Sequence, residues 1–216
     1  MKLTDPNSDI LAGYLLQIKA IKLSPEHPFV WASGLKSPIY CDNRITLSFP
    51  TIRTHIRMEF VRLIMEQFGK PDIIAGVATG GIAQGALVAQ ELGLPFAYVR
   101  PEKKGHGLEN QIEGVVNAGQ TVVVIEDLIS TGGSSLKAVK ALRNTGAIIK
   151  GMLAIFSYNL NRATISFSEE KCPLLTLTDF DTLASKALND NYINQNEYAS
   201  LIEWKKDPQA WSDARQ

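Results

Sequence analysis

VVVIEDLISTGGSS, at residues 122–135, is the stretch that decides the fold. Its four β-branched residues predict a strand buried on both faces, because parallel strands inside a sheet are apolar on either side. The carboxylates Glu126 and Asp127 come directly after those four residues, and a helical pattern begins at Ser134. Strand, acid pair, glycine loop and helix in this order predict a parallel α/β sheet with a ligand site at its carboxyl edge.

The loop between the acids and the helix has the chemistry of an anion site. Gly132 and Gly133 allow the backbone to curl so that successive N–H groups point inward. The helix N-terminus adds unpaired N–H donors and a positive dipole end. Further hydroxyl donors come from Ser130, Thr131, Ser134 and Ser135. A monophosphate fits this loop, whereas the acid pair should face ribose hydroxyls or hydrated Mg²⁺.

A purely structural interpretation of the same run is also available. The acids could simply end a strand, and the serines could simply cap a helix. A serine and glycine loop alone would leave the two interpretations equally good. A buried strand, an acid pair and a glycine nest in one continuous run favour the functional one.

A second small loop follows the predicted strand at residues 73–75. It contains Thr79, Gly80 and Gly81, whose small side chains leave room for a backbone to approach an anion. A tight turn that only packs well is the alternative.

A third loop, from Arg100 to Glu113, gathers positive charge in an otherwise neutral chain. Its cationic side chains are Arg100, Lys103, Lys104 and His106. Mobile cations that close over a bound anion would stabilise its charge and exclude water, and Gly105 and Gly107 would permit such movement. Judged by charge alone, a solvated surface loop is the favoured alternative.

Around these loops, short apolar runs alternate with helical stretches. A helix capped by Ser8 is expected to bury Ile10, Leu11, Tyr14, Leu15 and Ile18. A helix after Pro50 is expected to bury Ile52, Ile56, Phe60, Ile64 and Phe68. Further strands are expected at residues 73–75, 95–99, 112–116, 121–125, 148–155 and 173–178, and further helices at 82–92, at 134–144 and after 179. This alternation predicts one α/β domain, residues 1–216, with a mostly parallel sheet flanked by helices.

Composition narrows the class of protein. The chain has 216 residues, 45% of them hydrophobic, with 22 basic and 22 acidic side chains. Balanced charge gives no sign of a nucleic-acid partner, and no apolar run approaches the ~20 residues that cross a bilayer. Cys41 and Cys172 are far apart and form no CxxC pair, so we expect reduced thiols and a cytoplasmic protein.

The run at residues 122–135 resembles the phosphoribosyl pyrophosphate (PRPP) signature of type I phosphoribosyltransferases. The resemblance implies that Ser130 to Ser134 hold the 5′-phosphate and that Glu126 and Asp127 contact the ribose hydroxyls. The turn at Thr79 resembles the pyrophosphate loop of the same family. The implied PRPP-binding residues are Thr79, Gly80, Arg100, Lys104, His106, Glu126, Asp127, Leu128, Ile129, Ser130, Thr131, Gly132, Gly133 and Ser134.

The basic loop resembles the mobile catalytic loop of the orotate phosphoribosyltransferases. In that family the loop crosses a homodimer into the neighbouring site, which implies a homodimer here. Lys104 aligns with the catalytic lysine, whereas Pro101 and Gly105 depart from the family pattern. The implied catalytic residues are Lys104, Glu126 and Asp127. The implied cofactor is Mg²⁺, held mainly through PRPP without a direct protein ligand.

The segment at residues 29–44 resembles the base-binding segment of the same family. The match is to a Ser-Gly-x-Lys-Ser-Pro core, here Ser33, Gly34, Lys36, Ser37 and Pro38. The resemblance implies a small hood at residues 1–48 and orotate contacts from Ser130, Lys36 and Tyr40. Ala32 stands where some members have a lysine, and residues 156–159 lack the orotate-binding arginine of some members.

Two other functions stay open from sequence. One is phosphoribosyl transfer to a purine or to uracil, and the other is a PRPP-sensing regulatory protein on the same fold. The two common nucleotide motifs, GxxxxGK[ST] and GxGxxG opening a helix, are absent from the chain.

Overall fold

The computed structural model describes residues 6–31, 34–101 and 111–215. The first half of the chain forms α1 (Pro6–Gln17), β1 (Ile21–Leu23), β2 (Phe29–Val30), β3 (Lys36–Ser37), β4 (Ile39–Cys41), a 3-10 helix (Asn43–Ser48), α2 (Pro50–Gln67), β5 (Ile73–Val77), α3 (Gly80–Leu92), β6 (Phe96–Val99) and β7 (Ile112–Glu113). The second half forms β8 (Thr121–Ile129), α4 (Gly133–Arg143), β9 (Ile148–Ser157), α5 (Asn161–Glu169), β10 (Leu174–Asp179), α6 (Phe180–Asn189), α7 (Gln195–Lys206) and α8 (Pro208–Asp213).

The main sheet has six strands in the order β10-β9-β8-β5-β6-β7. Its pairs are parallel except β6 with β7, which is antiparallel. The expected fold class, a mostly parallel sheet flanked by helices, is therefore confirmed. β8 lies inside the sheet, and its residues from Val122 to Ile125 are fully buried.

The two faces of the sheet carry two separate cores. Val123 and Ile125 pack with residues of α1, α2, α3, α6 and α7, whereas Val122 and Val124 pack with residues of α4 and α5. Successive side chains of a strand point to opposite faces, so a continuous apolar run fills both cores at once.

β8 is longer than the sequence pattern predicts, since the strand expected at residues 121–125 continues to Ile129. Its pairing with β5 ends at the pair of Gly76 with Ile125, but its pairing with β9 continues to the pair of Ile129 with Ser157. β9 supplies a hydrogen-bonding partner over this length, whereas β5 has ended and turned away. Glu126 and Asp127 therefore stand on the strand itself, beside a gap left by β5.

Other boundaries differ in smaller ways. α1 begins at Pro6 and buries Leu11, Ala12, Leu15 and Leu16, while Ile10 on the expected face is 45% exposed. α1 packs against α2, α6 and β10. Leu11 and Leu15 are buried as expected, Tyr14 and Ile18 are half-buried against the same core, and Ile10 alone departs from the expected face. The α2 stripe from Ile52 to Ile64 is confirmed. The strand expected at residues 112–116 is the two-residue β7, and α5 was not anticipated.

The N-terminal segment forms two small antiparallel pairs, β1 with β4 and β2 with β3. The C-terminal helices cover it: Trp204, fully buried, contacts Trp31 edge-on with ring centroids 5.9 Å apart. The backbone amide of Lys36 donates to the Ser212 hydroxyl at 3.0 Å. The division into one domain with a base-binding hood at residues 1–48 stays a prediction.

Among the described residues, no helix combines the length and the apolar content needed to cross a membrane.

Candidate active site

A cavity of about 470 Å³ opens at the carboxyl edge of the sheet, beside the end of β8. Three of the sequence motifs line it: the acid pair, the loop at 130–135 and the turn at 77–80. A fourth wall comes from the segment after β4, which contributes Cys41, Asp42 and Arg44. The structure therefore brings together loops that are up to 94 residues apart in the chain, from Cys41 to Ser135.

Glu126 forms the floor of the cavity and is 5% exposed. Its Oε2 accepts a hydrogen bond from the Ser135 hydroxyl at 3.0 Å, and its Oε1 accepts one from the Asp127 backbone N–H at 3.0 Å. Burial, and next the interaction with the Asp127 carboxyl group, raise the pKa of Glu126 to about 9. Glu126 therefore holds a proton at neutral pH in the ligand-free protein, and Asp127 is the more exposed acid.

The turn after β5 is fixed by its contact with the acid pair. A Cβ added to Gly80 would lie 2.1 Å from Cγ of Asp127, and one added to Gly81 would lie 2.3 Å from the Ile125 carbonyl oxygen. The Ile125 carbonyl belongs to the strand backbone, so Gly81 is required by close approach, whereas a side chain at Gly80 would have to displace the Asp127 carboxylate. The peptide bond between Ala78 and Thr79 is cis.

The expected anion nest lies at the start of α4. Gly132 is its N-cap, with φ 81°, and offers no side chain to the helix amides. A Cβ on Gly132 would also meet the Phe167 ring at 2.7 Å. Thr131, Gly133 and Ser134 are exposed to the cavity, so the first-turn N–H groups of α4 face open space. This arrangement suits an anion of phosphate size.

Most of the predicted PRPP-binding residues that the structure describes line this cavity, but Ile129 and Arg100 do not. Ile129 is fully buried in the core, and its carbonyl accepts a hydrogen bond from the Tyr158 amide at 3.0 Å. Arg100 is not among the residues lining the cavity, and its Nη1 lies 3.4 Å from Oε1 of Glu113. Lys104 and His106 lie outside the described residues.

The two ends of the basic loop are held together at β6. The Arg100 amide donates to the Gln111 carbonyl at 2.8 Å, and the Gln111 side-chain amide donates to the Arg100 carbonyl at 2.8 Å. The loop thus leaves and rejoins the sheet at one point on its carboxyl edge, the edge that carries the cavity.

The predicted orotate contacts are divided among different places. Ser130 lines the main cavity and also a neighbouring cavity of about 340 Å³ whose wall includes Trp31. Tyr40 is 40% exposed and packs against Phe29 with ring centroids 5.7 Å apart. The Lys36 amine donates to the Arg215 carbonyl and lies in a separate cavity with C-terminal residues. Lys36 is therefore not brought to the main cavity, and its orotate contact stays a prediction.

Sequence reasoning did not assign the Asp42–Arg44 wall. Asp42 and Arg44 form a two-point ion pair, with Nε to Oδ1 at 2.7 Å and Nη2 to Oδ2 at 2.9 Å. Asn43, which is 2% exposed, donates from Nδ2 to the Asp127 backbone oxygen at 2.6 Å. The sequence signal that could have identified this wall is the polar run Asp42-Asn43-Arg44. It directly follows the strand at 39–41, just as the acid pair directly follows an apolar run.

A family model, the phosphoribosyl transferase domain, matches residues 50–163. The matched range contains the turn at Thr79, the acid pair and the nest at the start of α4. Fold and site together define the chain's class: it is a phosphoribosyltransferase on the parallel-sheet fold.

The relatives narrow this class. A protein of Bacteroides fragilis named orotate phosphoribosyltransferase is 54% identical over 95% of this chain and 97% of its own. One of Listeria innocua with the same name is 53% identical over 93% of this chain and 96% of its own. The solved orotate phosphoribosyltransferase of Aeropyrum pernix superposes with a TM-score of 0.74 at 28% identity, covering 85% of this chain and 99% of that one. The chain belongs to the orotate phosphoribosyltransferase family, which confirms the resemblance drawn from its motifs.

Proposed function

We propose that the chain transfers the 5-phosphoribosyl group of PRPP to orotate, giving orotidine 5′-phosphate and pyrophosphate in the de novo synthesis of UMP. One observation carries the proposal: the acid pair, the helix nest and the Gly80 turn line a single cavity. These are the parts that a ribose phosphate with a pyrophosphate leaving group requires. The name shared by relatives at 53–54% identity supports orotate as the acceptor base.

The binding step uses groups that the fold holds rigid. The open amides at the start of α4 donate hydrogen bonds to the 5′-phosphate, and the hydroxyls of Thr131 and Ser134 add further donors. Asp127 accepts hydrogen bonds from the ribose hydroxyls, with Glu126 beneath it. Because both acids stand on a strand of the sheet, their main effect is to orient the sugar.

The chemical step breaks the bond between ribose C1 and the pyrophosphate oxygen and forms one between C1 and orotate nitrogen. We expect the C1–O bond to stretch first, which gives the ribose oxocarbenium character, with the base attacking from the opposite face. Lys104, with Arg100 and His106, stabilises the charge that develops on the departing pyrophosphate.

Mg²⁺ is the cofactor that we propose. Asp127 lines the cavity and offers the hard carboxylate oxygens that this ion prefers, whereas both carboxylate oxygens of Asp42 are engaged by Arg44. Among the described residues, no three potential ligands cluster into a dedicated metal site. Asp127 would hold the ion through its water molecules, with no direct protein ligand. When bound, Mg²⁺ neutralises charge on the pyrophosphate.

We further propose that the active form is a homodimer in which the loop at residues 100–113 reaches the partner's cavity. Hydrogen bonds between Arg100 and Gln111 hold the two ends of this loop together at the carboxyl edge of the sheet, which supports its assignment to one site. A cytoplasmic location is also proposed, since Cys41 and Cys172 are both free thiols.

The test is the loss of orotate absorbance when the protein is mixed with PRPP and Mg²⁺, together with release of pyrophosphate. We expect both signals with orotate and neither when the base is omitted. A panel with uracil, adenine and hypoxanthine tests the other acceptor classes. Faster turnover of any of these bases would reject orotate as the substrate, and PRPP binding without pyrophosphate release would favour a sensor.

A further inference from the structure

Arg44 is the one cationic side chain among the described residues that line the main cavity. The other charged side chains there are Asp42, Glu126 and Asp127, all acids. Orotate differs from uracil by a carboxylate, so a cavity that accepts orotate has to offer that group a donor. The open helix amides suit the 5′-phosphate, and the basic loop is the proposed partner of the pyrophosphate, which leaves the base carboxylate as the anion to be matched by the cavity itself.

The position of Arg44 is fixed from two directions. Its neighbour Asn43 is buried and bonded to the Asp127 backbone oxygen at 2.6 Å, which places this segment beside the acid pair. Asp42 grips one side of the guanidinium through Nε and Nη2, and the Arg44 backbone amide also donates to Oδ1 of Asp42 at 3.2 Å. Asp42 thus holds the guanidinium of a side chain that is 58% exposed.

Asp42 occupies only one edge of the guanidinium. The end of the group, with parallel N–H bonds on Nη1 and Nη2, has no acceptor among the described residues. That end fork matches the two oxygens of a carboxylate, whereas a lysine offers only a point charge.

The other candidate donors are engaged elsewhere. The Lys36 amine donates to the Arg215 carbonyl. Asn159 donates from Nδ2 to Oδ2 of Asp179 at 2.9 Å and to Oδ2 of Asp181 at 3.2 Å. Ser130 lines the same cavity as Arg44, but its hydroxyl carries no charge.

We propose that Arg44 is a specificity-determining residue that binds the carboxylate of the base, and that Asp42 is the positioning residue that holds its guanidinium. This inference rests on the proposed function and assigns one contact within it. The end fork makes two charge-assisted hydrogen bonds to the carboxylate, within the cavity that Ser130 also lines.

The experiment compares orotate with its neutral carboxamide in the Arg44→Gln variant. We expect KM for orotate to rise roughly 10- to 100-fold, as for loss of a hydrogen bond to a charged group. The inhibition constant of the carboxamide and KM for PRPP should stay close to their wild-type values. Arg44→Lys should recover only part of the loss, because it restores the charge without the fork.

Two further variants separate this role from a structural one. Arg62→Gln is the matched control, since Arg62 also grips a carboxylate through Nε and Nη2, those of Glu59, but lies on α2 away from the cavity. It should leave all three constants unchanged. Asp42→Asn should raise KM for orotate, as Arg44→Gln does, but by a smaller factor.

The outcomes are distinct. An equal rise in KM for orotate and in the inhibition constant of the carboxamide would overturn the proposal, because a contact with the carboxylate must distinguish the two molecules. A raised KM for PRPP with an unchanged KM for orotate would overturn the proposal in favour of a phosphate contact. Wild-type protein that does not turn over orotate at all would reject the proposed function itself, together with this inference.

Discussion

At the scale of single residues, the protonation of Glu126 is the least ordinary feature of the site. A buried carboxyl group costs less free energy when it is neutral, and Asp127 beside it adds to this preference. The acid pair of the free protein therefore carries less negative charge than its sequence suggests, which lowers its repulsion of a substrate rich in phosphate.

This protonation predicts a pH dependence of stability. The pKa of Glu126 is raised in the folded state, so between its ordinary value and about 9 the folded protein binds a proton that the unfolded chain releases. The contribution of Glu126 to stability is then full at acid pH and is lost as pH rises through this window. Glu126→Gln, which cannot titrate, should lose less stability between pH 5 and pH 8 than wild type. Thermal unfolding at the two pH values measures this, and equal losses in both proteins would contradict it.

Lys104 carries the prediction that concerns catalysis directly. If it stabilises the departing pyrophosphate, Lys104→Ala should lower kcat by about 10²–10³-fold and change PRPP affinity much less. Steady-state kinetics measure kcat, and calorimetric titration measures the affinity for PRPP. Lys22→Ala, at an exposed lysine that does not line the cavity, is the control. Unchanged turnover in Lys104→Ala would remove its assigned role.

Gly80 tests the close contact between the turn and the acid pair. Gly80→Ala would force a methyl group against the Asp127 carboxylate, so we expect loss of PRPP binding. Gly13→Ala is a suitable control, because the added methyl meets only the flexible end of Lys186 at 3.3 Å in a helix that favours alanine. PRPP titration of both variants is the measurement. Normal binding in Gly80→Ala would mean that the turn can shift without cost.

At the scale of elements, sequence patterns predicted those segments whose burial follows one simple period. The buried stripe of α2 and the apolar run of β8 are examples. The helix buries one face against the core, and the strand is buried on both faces. The pattern missed the C-terminal half of β8, since a strand with two acids extends only when a neighbour as long as β9 is present. It missed α5 because only Ala163 and Phe167 of that helix are buried. The acid pair, the nest and the turn were found from local chemistry, whereas the Asp42–Arg44 wall required tertiary contacts.

The link between the N-terminal segment and α7 gives a stability prediction. Trp204 is fully buried between Trp31, Tyr158 and Phe180. Trp204→Ala should lower the free energy of unfolding by about 3–5 kcal/mol, the usual cost of removing a large buried aromatic side chain. Denaturant unfolding measures it, with Tyr192→Ala, which is 54% exposed, as the control. A loss no larger than that of the control would contradict the packing described here.

At the scale of the whole molecule, the proposed exchange of loops between protomers has a direct test. Lys104→Ala and Asp127→Asn should each inactivate a homodimer, one through the loop and one through the cavity. If the loop serves the neighbouring cavity, a mixed dimer contains one site with both residues intact. Co-refolded mixtures should then regain about a quarter of wild-type activity, by random pairing of the two subunits. Activity no greater than that of the separate variants would place loop and cavity in the same protomer.

The cleft itself follows from unequal strand lengths. β8 continues four residues beyond the point where β5 stops pairing with it, at Ile125, and the acids occupy the overhang. Had the two strands ended level, the ladder would have closed over Glu126 and Asp127, and a neighbouring backbone would occupy the space that now admits a sugar. Insertions that prolong β5 past Val77 should therefore fill the cavity without unfolding the protein. The result would be a stable protein without activity.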